Sequence, residues 1–148
     1  MIKFNNILVP TDFSKGSENA LNSAKEFAKS FKSKIHVLNV IQNTVYSGGI
    51  EFGSFNYSEL LKDMEENSSK LMKNISDELE SEKIDNLMKI RFGIAANEII
   101  NYEIENDIDL IISASHGSGG FEHLLFGSTT EKVLRKAVCP ILVVRFPK

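Results

Sequence analysis

A short apolar run, Asn6-Ile7-Leu8-Val9-Pro10, is closed by a proline. A run of this length without alternation predicts a strand buried on both faces. Apolar positions then recur at Ala20, Leu21, Ala24, Phe27, Ala28 and Phe31, the three-and-four spacing of a helix with one inward face. Ile35 to Ile41 is mostly apolar and β-branched and predicts a second strand. Leu60, Leu61, Met64, Leu71, Met72, Ile75 and Leu79 mark a long helix whose other face, rich in Lys, Glu and Asp, is solvated. Leu87 to Arg91 predicts a shorter strand, and Ala96, Ile99, Ile100 and Ile104 a third helix. Leu110-Ile111-Ile112 predicts a fourth strand. Thr130, Val133, Leu134 and Ala137 predict a fourth helix, and Ile141 to Val144 a last strand. Residues 42–56 carry Gly48, Gly49 and Gly53 and little charge, which predicts a loop of above-median length.

Strand and helix therefore alternate from end to end. This order predicts the α/β class: a doubly wound, Rossmann-like parallel sheet of five strands with helices on both faces. No internal repeat, low-complexity tract or linker interrupts it, so one domain over residues 1–148 is expected.

Composition narrows the function. The 17 basic and 20 acidic residues give a formal charge of −3, which argues against a general nucleic-acid binder. The one cysteine, Cys139, cannot build a disulfide framework within the chain, which fits a reducing compartment. No stretch approaches the roughly 20 apolar residues of a membrane span, and the N-terminus lacks the apolar run of a signal peptide. The expectation is a soluble cytoplasmic protein with no membrane partner.

The densest chemistry lies in SASHGSGGFEHLLFGSTTE, residues 113–131. In a doubly wound sheet the loops at the carboxyl ends of the strands form the binding crevice, at the point where strand order reverses. This segment leaves the fourth strand at that end, and Pro10-Thr11-Asp12-Phe13-Ser14 leaves the first. Glycine allows close main-chain approach to a ligand and positive φ. Ser128-Thr129-Thr130-Glu131 after Gly127 fits a capping box, which predicts Ser128 as the helix cap. A helix starting there offers free N–H groups and partial positive charge, suited to phosphate, with the Ser128 and Thr129 hydroxyls as further donors. The commoner phosphate signatures are absent. There is no GxxxxGK[ST], and Glu122 stands where a GxGxxG loop beginning at Gly117 needs its third glycine. PTDFSKGS does not match the SGGxDS loop of a pyrophosphatase.

These residues resemble the universal stress protein family. The resemblance rests on Ile7 to Ser14 (ILVPTDFS), on Arg91-Phe92-Gly93 leading into a helix, and on Cys139-Pro140-Ile141-Leu142-Val143-Val144. It rests also on the motif G-x2-G-x9-G-[ST], which here reads Ala114-Ser115-His116-Gly117, nine residues, then Gly127-Ser128. The resemblance implies strand order 3-2-1-4-5 and a homodimer paired through the last strand, Ile141 to Val144. It implies bound ATP, with Mg²⁺ or Mn²⁺ held by the phosphates where an ion is present. It also implies that Asp12 and main chain around Val40 meet the adenosine end and that Gly117, Gly127, Ser128 and Thr129 hold the phosphates, with Pro10, Thr11, Ala114, Ser115 and His116 as further cofactor-binding residues. Ala114 replaces the motif's first glycine; if that position needs φ > 0, the cost is roughly 1–2 kcal/mol.

Plainer roles exist for several of these residues. Asp12 suits a turn or a helix start. Gly119 and Gly120 suit a flexible turn, His116 an exposed loop position, His36 and His123 structural positions, and Cys139 a buried small residue before Pro140. No metal-ligand cluster is visible, and nothing supplies an obvious general base or nucleophile near the phosphates. The reading is therefore a nucleotide-binding regulatory protein with slow or no hydrolysis, acting on unidentified protein partners. The alternatives are a dimeric interaction module that binds no nucleotide and, last, an enzyme of the wider adenine-nucleotide hydrolase-like group.

Overall fold

The computed structural model describes residues 2–42, 56–116 and 126–145. The strands are β1 (Asn6–Pro10), β2 (Lys34–Ile41), β3 (Asn86–Phe92), β4 (Leu110–Ala114) and β5 (Ile141–Val144). The helices are α1 (Lys15–Phe31), α2 (Tyr57–Ser81), α3 (Ala95–Glu105) and α4 (Ser128–Lys136). The loop expected over 42–56 lies, apart from its two end residues, outside the described residues. β3 is longer than its apolar pattern because it pairs with all of β2 from Ile35 to Ile41. α4 stops one residue before Ala137, whose backbone is extended. Among the described residues no helix is long and apolar enough to cross a membrane.

The five strands are all parallel and lie in the order β3-β2-β1-β4-β5. β1 is central, paired with β2 from Asn6↔Lys34 to Pro10↔Leu38 and with β4 at Ile7↔Leu110 and Leu8↔Ile111. The winding reverses between β1 and β4, so their carboxyl ends open into one crevice.

The period-two alternation of strands sends successive side chains to opposite faces. Ile7, Val9, Ile35, Val37, Leu110 and Ile112 join Ala20, Leu21 and Ala24 of α1 and Met72 and Leu79 of α2 in one core. Leu8, Leu38 and Ile111 join Ala96, Ile99 and Tyr102 of α3 and Val133 of α4 in the other. β1 and β4 feed both cores, which explains why their sequences are continuously apolar rather than alternating.

Polar ties fix the helices over these cores. On the α3 side, His36 Nδ1 lies 2.8 Å from Tyr102 Oη and its Nε2 3.3 Å from Asn6 Oδ1. Burial lowers the His36 pKa, which keeps the ring neutral in this setting. Arg91 stacks over the Tyr102 ring, 4.9 Å from its centroid, and pairs with Glu98 at 3.5 Å and with Glu105. Gly93 sits at φ 142, and its N–H donates to Ile41 O at 3.0 Å. A Cβ there would lie 3.2 Å from Glu98 Oε1, in a backbone region that disfavours side chains. At the far side of α3, buried Glu103 takes the N–H groups of Val138 (2.8 Å) and Cys139 (2.6 Å) on Oε1. That carboxylate pins the turn from α4 into β5.

On the α1 side, Lys25 is buried and pairs with Glu78 and, at 3.0 Å, with Glu82, both on α2; Lys29 reaches Glu82 at 2.8 Å. Burial opposes the Lys25 charge, but the hydrogen bonds to Glu78 and Glu82 outweigh it and raise its pKa above the ordinary 10.5. Lys29 first, and Lys25 next, hold the Glu82 carboxyl below the ordinary 4.5. A raised lysine pKa contributes stability below pH 10.5 that is lost as pH rises through the folded value. A depressed glutamate pKa contributes stability above pH 4.5 that is lost as pH falls through the folded value. Lys25→Met keeps the aliphatic stem and removes the charge. It should lower stability at pH 7 by about 1 kcal/mol, since the carboxylate partners remain solvated. In thermal melts the gap from wild type should shrink as pH falls through the Glu82 transition.

Candidate functional site

The first wall of the crevice is the turn between β1 and α1. Thr11 N–H donates to Leu38 O at 2.8 Å, and the Asn39 carboxamide Nδ2 donates to Thr11 O at 2.9 Å. Ser68 Oγ, from α2, donates to Asn39 Oδ1 at 2.7 Å. Thr11 Oγ1 accepts the Phe13 N–H at 3.0 Å and lies 3.1 Å from Ser17 Oγ. Phe13 is left-handed at φ 64, a conformation that costs a bulky residue free energy and is held here by these bonds. Asp12 Oδ1 accepts the Ser14 N–H at 3.0 Å and sits 3.2 Å from Ser17 Oγ. Ser14 caps α1 by accepting the Ser17 N–H. The turn and helix-start reading of Asp12 is thus realised through one of its oxygens.

The second wall is the passage from β4 to α4. Ser115 N–H donates to Val144 O at 2.9 Å, and Ser115 O accepts the Gly127 N–H at 2.7 Å. Thr130 Oγ1 donates to Ala114 O at 2.9 Å. These bonds hold the start of α4 against the end of β4. His116 Nδ1 lies 3.1 Å from Ser115 Oγ. The expectation that Ser128 caps α4 is corrected. Gly127, at φ −65 and ψ 160, is the cap residue, no side chain caps the helix, and Ser128 is the first helical residue. The box is unmade because the helix starts one residue earlier, with Gly127 O accepting the Glu131 N–H, and the Glu131 side chain pairs with Arg135 at 2.9 Å. The first intrahelical bond runs from Glu131 N–H to Gly127 O, so the N–H groups of Ser128, Thr129 and Thr130 precede it.

Between the walls lies a cavity of about 140 Å³. Pro10, Thr11, Asp12, Val40, Ala114 and Thr129 line it, six residues expected at the site. Ser115, His116, Gly127 and Ser128 belong to the second wall but not to the lining. Gly117, with Gly119, Gly120 and His123, lies outside the described residues. Ser17, Leu38, Gln42, Ala95, Ile99, Ser113 and Thr130 complete the lining and were not anticipated. Period-two alternation was the available signal for some of them, since Leu38 shares a face with Val40 and Ser113 shares one with Ile111.

Ala114 is the last residue of β4, paired with Val144, and is not among the residues of positive φ. Its methyl packs in the core beneath α1. The strain considered for a positive φ at this position therefore does not arise. Cys139 is partly exposed. Burial first, then the Glu103 carboxyl, pushes its thiol pKa up to about 12. Among the described residues no three His, Cys, Asp or Glu side chains gather as a metal site.

The model of the universal stress protein family matches residues 3–145. The chain belongs to the universal stress protein family. Universal stress protein MJ0531 of Methanocaldococcus jannaschii is 32% identical over 146 residues, covering 98% of this chain and 84% of that protein. The solved structure of MJ0577 from the same organism superposes with a TM-score of 0.87 at 33% identity, covering 99% of each chain. UspA from Lactobacillus plantarum gives 0.87 at 25% identity, over 98% of this chain and 100% of that one. The sheet order and the crevice of this universal stress protein are thus those of its family's fold.

Two measurements test the local chemistry. Ala114→Gly should destabilise the protein by about 0.5–1 kcal/mol in denaturant unfolding, because it adds chain freedom and relieves no strain. A gain in stability would mean that the position is strained. Cys139 should resist alkylation at pH 8 in the native protein and react fully once the chain is unfolded.

Proposed function

We propose that this universal stress protein is an ATP-binding regulatory homodimer with slow or no hydrolysis. One observation carries the reading. Pro10, Thr11, Asp12 and Val40 from one side, and Ala114 and Thr129 from the other, converge on one cavity where the strand order reverses. The adenosine end would rest on Asp12 and the Val40 main chain. The phosphates would meet the N–H groups at the start of α4, where partial positive charge and unused donors favour an anion. Gly127, Ser128 and Thr129 belong to that start, and Gly117 to the same motif. A Mg²⁺ or Mn²⁺ ion, when present, would be held by phosphate oxygens and water, as such hard ions prefer. Two universal stress proteins of this fold have been solved with adenine nucleotides, one with cAMP and one from Archaeoglobus fulgidus with dAMP. At 15% and 19% identity they share the fold with this chain.

The low expected turnover rests on the carboxylate at hand. Asp12 Oδ1 is engaged by the α1 cap, which makes it a poor base for water. The homodimer would form through β5, an edge strand whose outer side pairs with no other strand among the described residues. Nucleotide binding would bias the surface presented to protein partners by differential contact. The reading as a module that binds no nucleotide drew on Ala114; its strain component does not apply, since Ala114 is not at positive φ.

Purified protein, denatured and analysed by mass spectrometry, should release adenine nucleotide, and titration calorimetry with ATP and Mg²⁺ should register binding. Gly127→Asp suits the extended cap backbone and sets a carboxylate beside the phosphates. It should weaken ATP by more than about tenfold, through like-charge repulsion at short range, and leave the dimer intact in size-exclusion chromatography. Affinity within twofold of wild type would place the phosphates elsewhere.

A further inference from the structure

We propose that Asn39 and Ser68 are positioning residues for the nucleoside end of the cavity, acting through the main chain of Thr11. The inference rests on the nucleotide-binding reading above and names residues that reading does not include. Its basis is the way the ladder between β1 and β2 ends. In a parallel pair the bonds are evenly spaced, so the rung after Thr11 N–H to Leu38 O would run from Val40 N–H to Thr11 O. The Asn39 side chain donates to that carbonyl at 2.9 Å, and among the described residues no main-chain bond from Val40 to Thr11 accompanies it. A side-chain amide thus supplies the last rung. The Val40 main chain is left at the end of β1, beside the cavity that Val40 lines.

The orientation of the amide is forced. Thr11 O can only accept, so the Asn39 NH₂ faces it and Oδ1 faces Ser68, whose hydroxyl donates. Asn39 is 7% exposed and Ser68 3%, and Asn39 shares its strand face with Ile35 and Val37 of the α1–α2 core. An apolar pair would serve packing there as well, because replacing both partners of a buried hydrogen bond is close to neutral for stability. What the polar pair adds is a fixed Thr11 carbonyl. Thr11 in turn fixes Phe13 and Ser17, and Ser17 lies against Asp12. One line of contacts, Ser68 to Asn39 to Thr11, therefore joins α2 to the cavity.

The test compares wild type with Ser68→Ala and with the double variant Asn39→Leu/Ser68→Ala, using AMP and ATP–Mg²⁺ in calorimetry and thermal melts. Both variants should bind AMP and ATP more weakly by the same factor, about tenfold for the double variant, the scale of losing one ordered hydrogen bond. The double variant should melt close to wild type. Equal loss for both nucleotides is the outcome that a merely structural role would not produce, since the melting temperature stays put while affinity falls. Unchanged affinity in both variants would overturn the inference and leave the proposed function standing. A loss confined to ATP would also overturn it, because the phosphates and not the nucleoside would then be affected. Wild-type protein that takes up neither nucleotide would overturn the proposed function and this inference together. If the double variant does not fold, Ser68→Ala decides alone.

Discussion

The hydrogen-bond ladder of the central strand stops before that of its neighbour, and the geometry of the crevice follows from this. β1 ends at Pro10, opposite Leu38, while β2 continues to Ile41 and stays paired with β3. Beyond Pro10 one edge of β2 has lost its partner strand. Thr11 turns away into the α1 cap, and β4 on the other side hands over to α4 within a bonded corner made by Ser115 and Gly127. A recess is unavoidable between a strand that continues and two loops that diverge. What a sequence can then choose is the chemistry that lines it.

The choice here combines main-chain groups with small hydroxyl side chains. Thr11, Ser17, Ser113, Thr129 and Thr130 all face the recess. Asp12 is the acidic side chain among the lining residues, and the start of α4 adds partial positive charge on the opposite wall. The strained turn at Phe13 sits in the same place. It is held by the same bonds that start α1, so the strained residue and the helix cap are one unit.

Much of the architecture was legible because buried parallel strands leave little freedom. A run such as Ile7-Leu8-Val9 must face two cores, and β1 and β4 were found where such runs stood. That six of the expected residues line one cavity follows from the same constraint, since the loops after β1 and β4 had to meet. The errors came where one side chain had two partners to choose from. Ser128 matched a cap pattern, but Gly127 O takes the first intrahelical bond, the Glu131 side chain pairs with Arg135, and Gly127 is the cap. Ala114 looked like a lost glycine until its pairing with Val144 showed an ordinary strand end. Asn39, Ser68, Lys25 and Glu103 were not legible at all. Each is a polar residue whose burial is decided by a partner far away in the chain, so nothing in its own neighbourhood marks it.

Glu103 carries that lesson furthest. Its carboxylate holds the Val138 and Cys139 amides across a separation of 35 and 36 residues. The corner that delivers β5 to the sheet is thus shaped by an earlier helix as well as by its own residues, with Pro140 O accepting the Ile111 N–H. The set of β5 at its edge of the sheet is therefore coupled to α3: one buried carboxylate ties the path of an edge strand to a helix on the sheet's face.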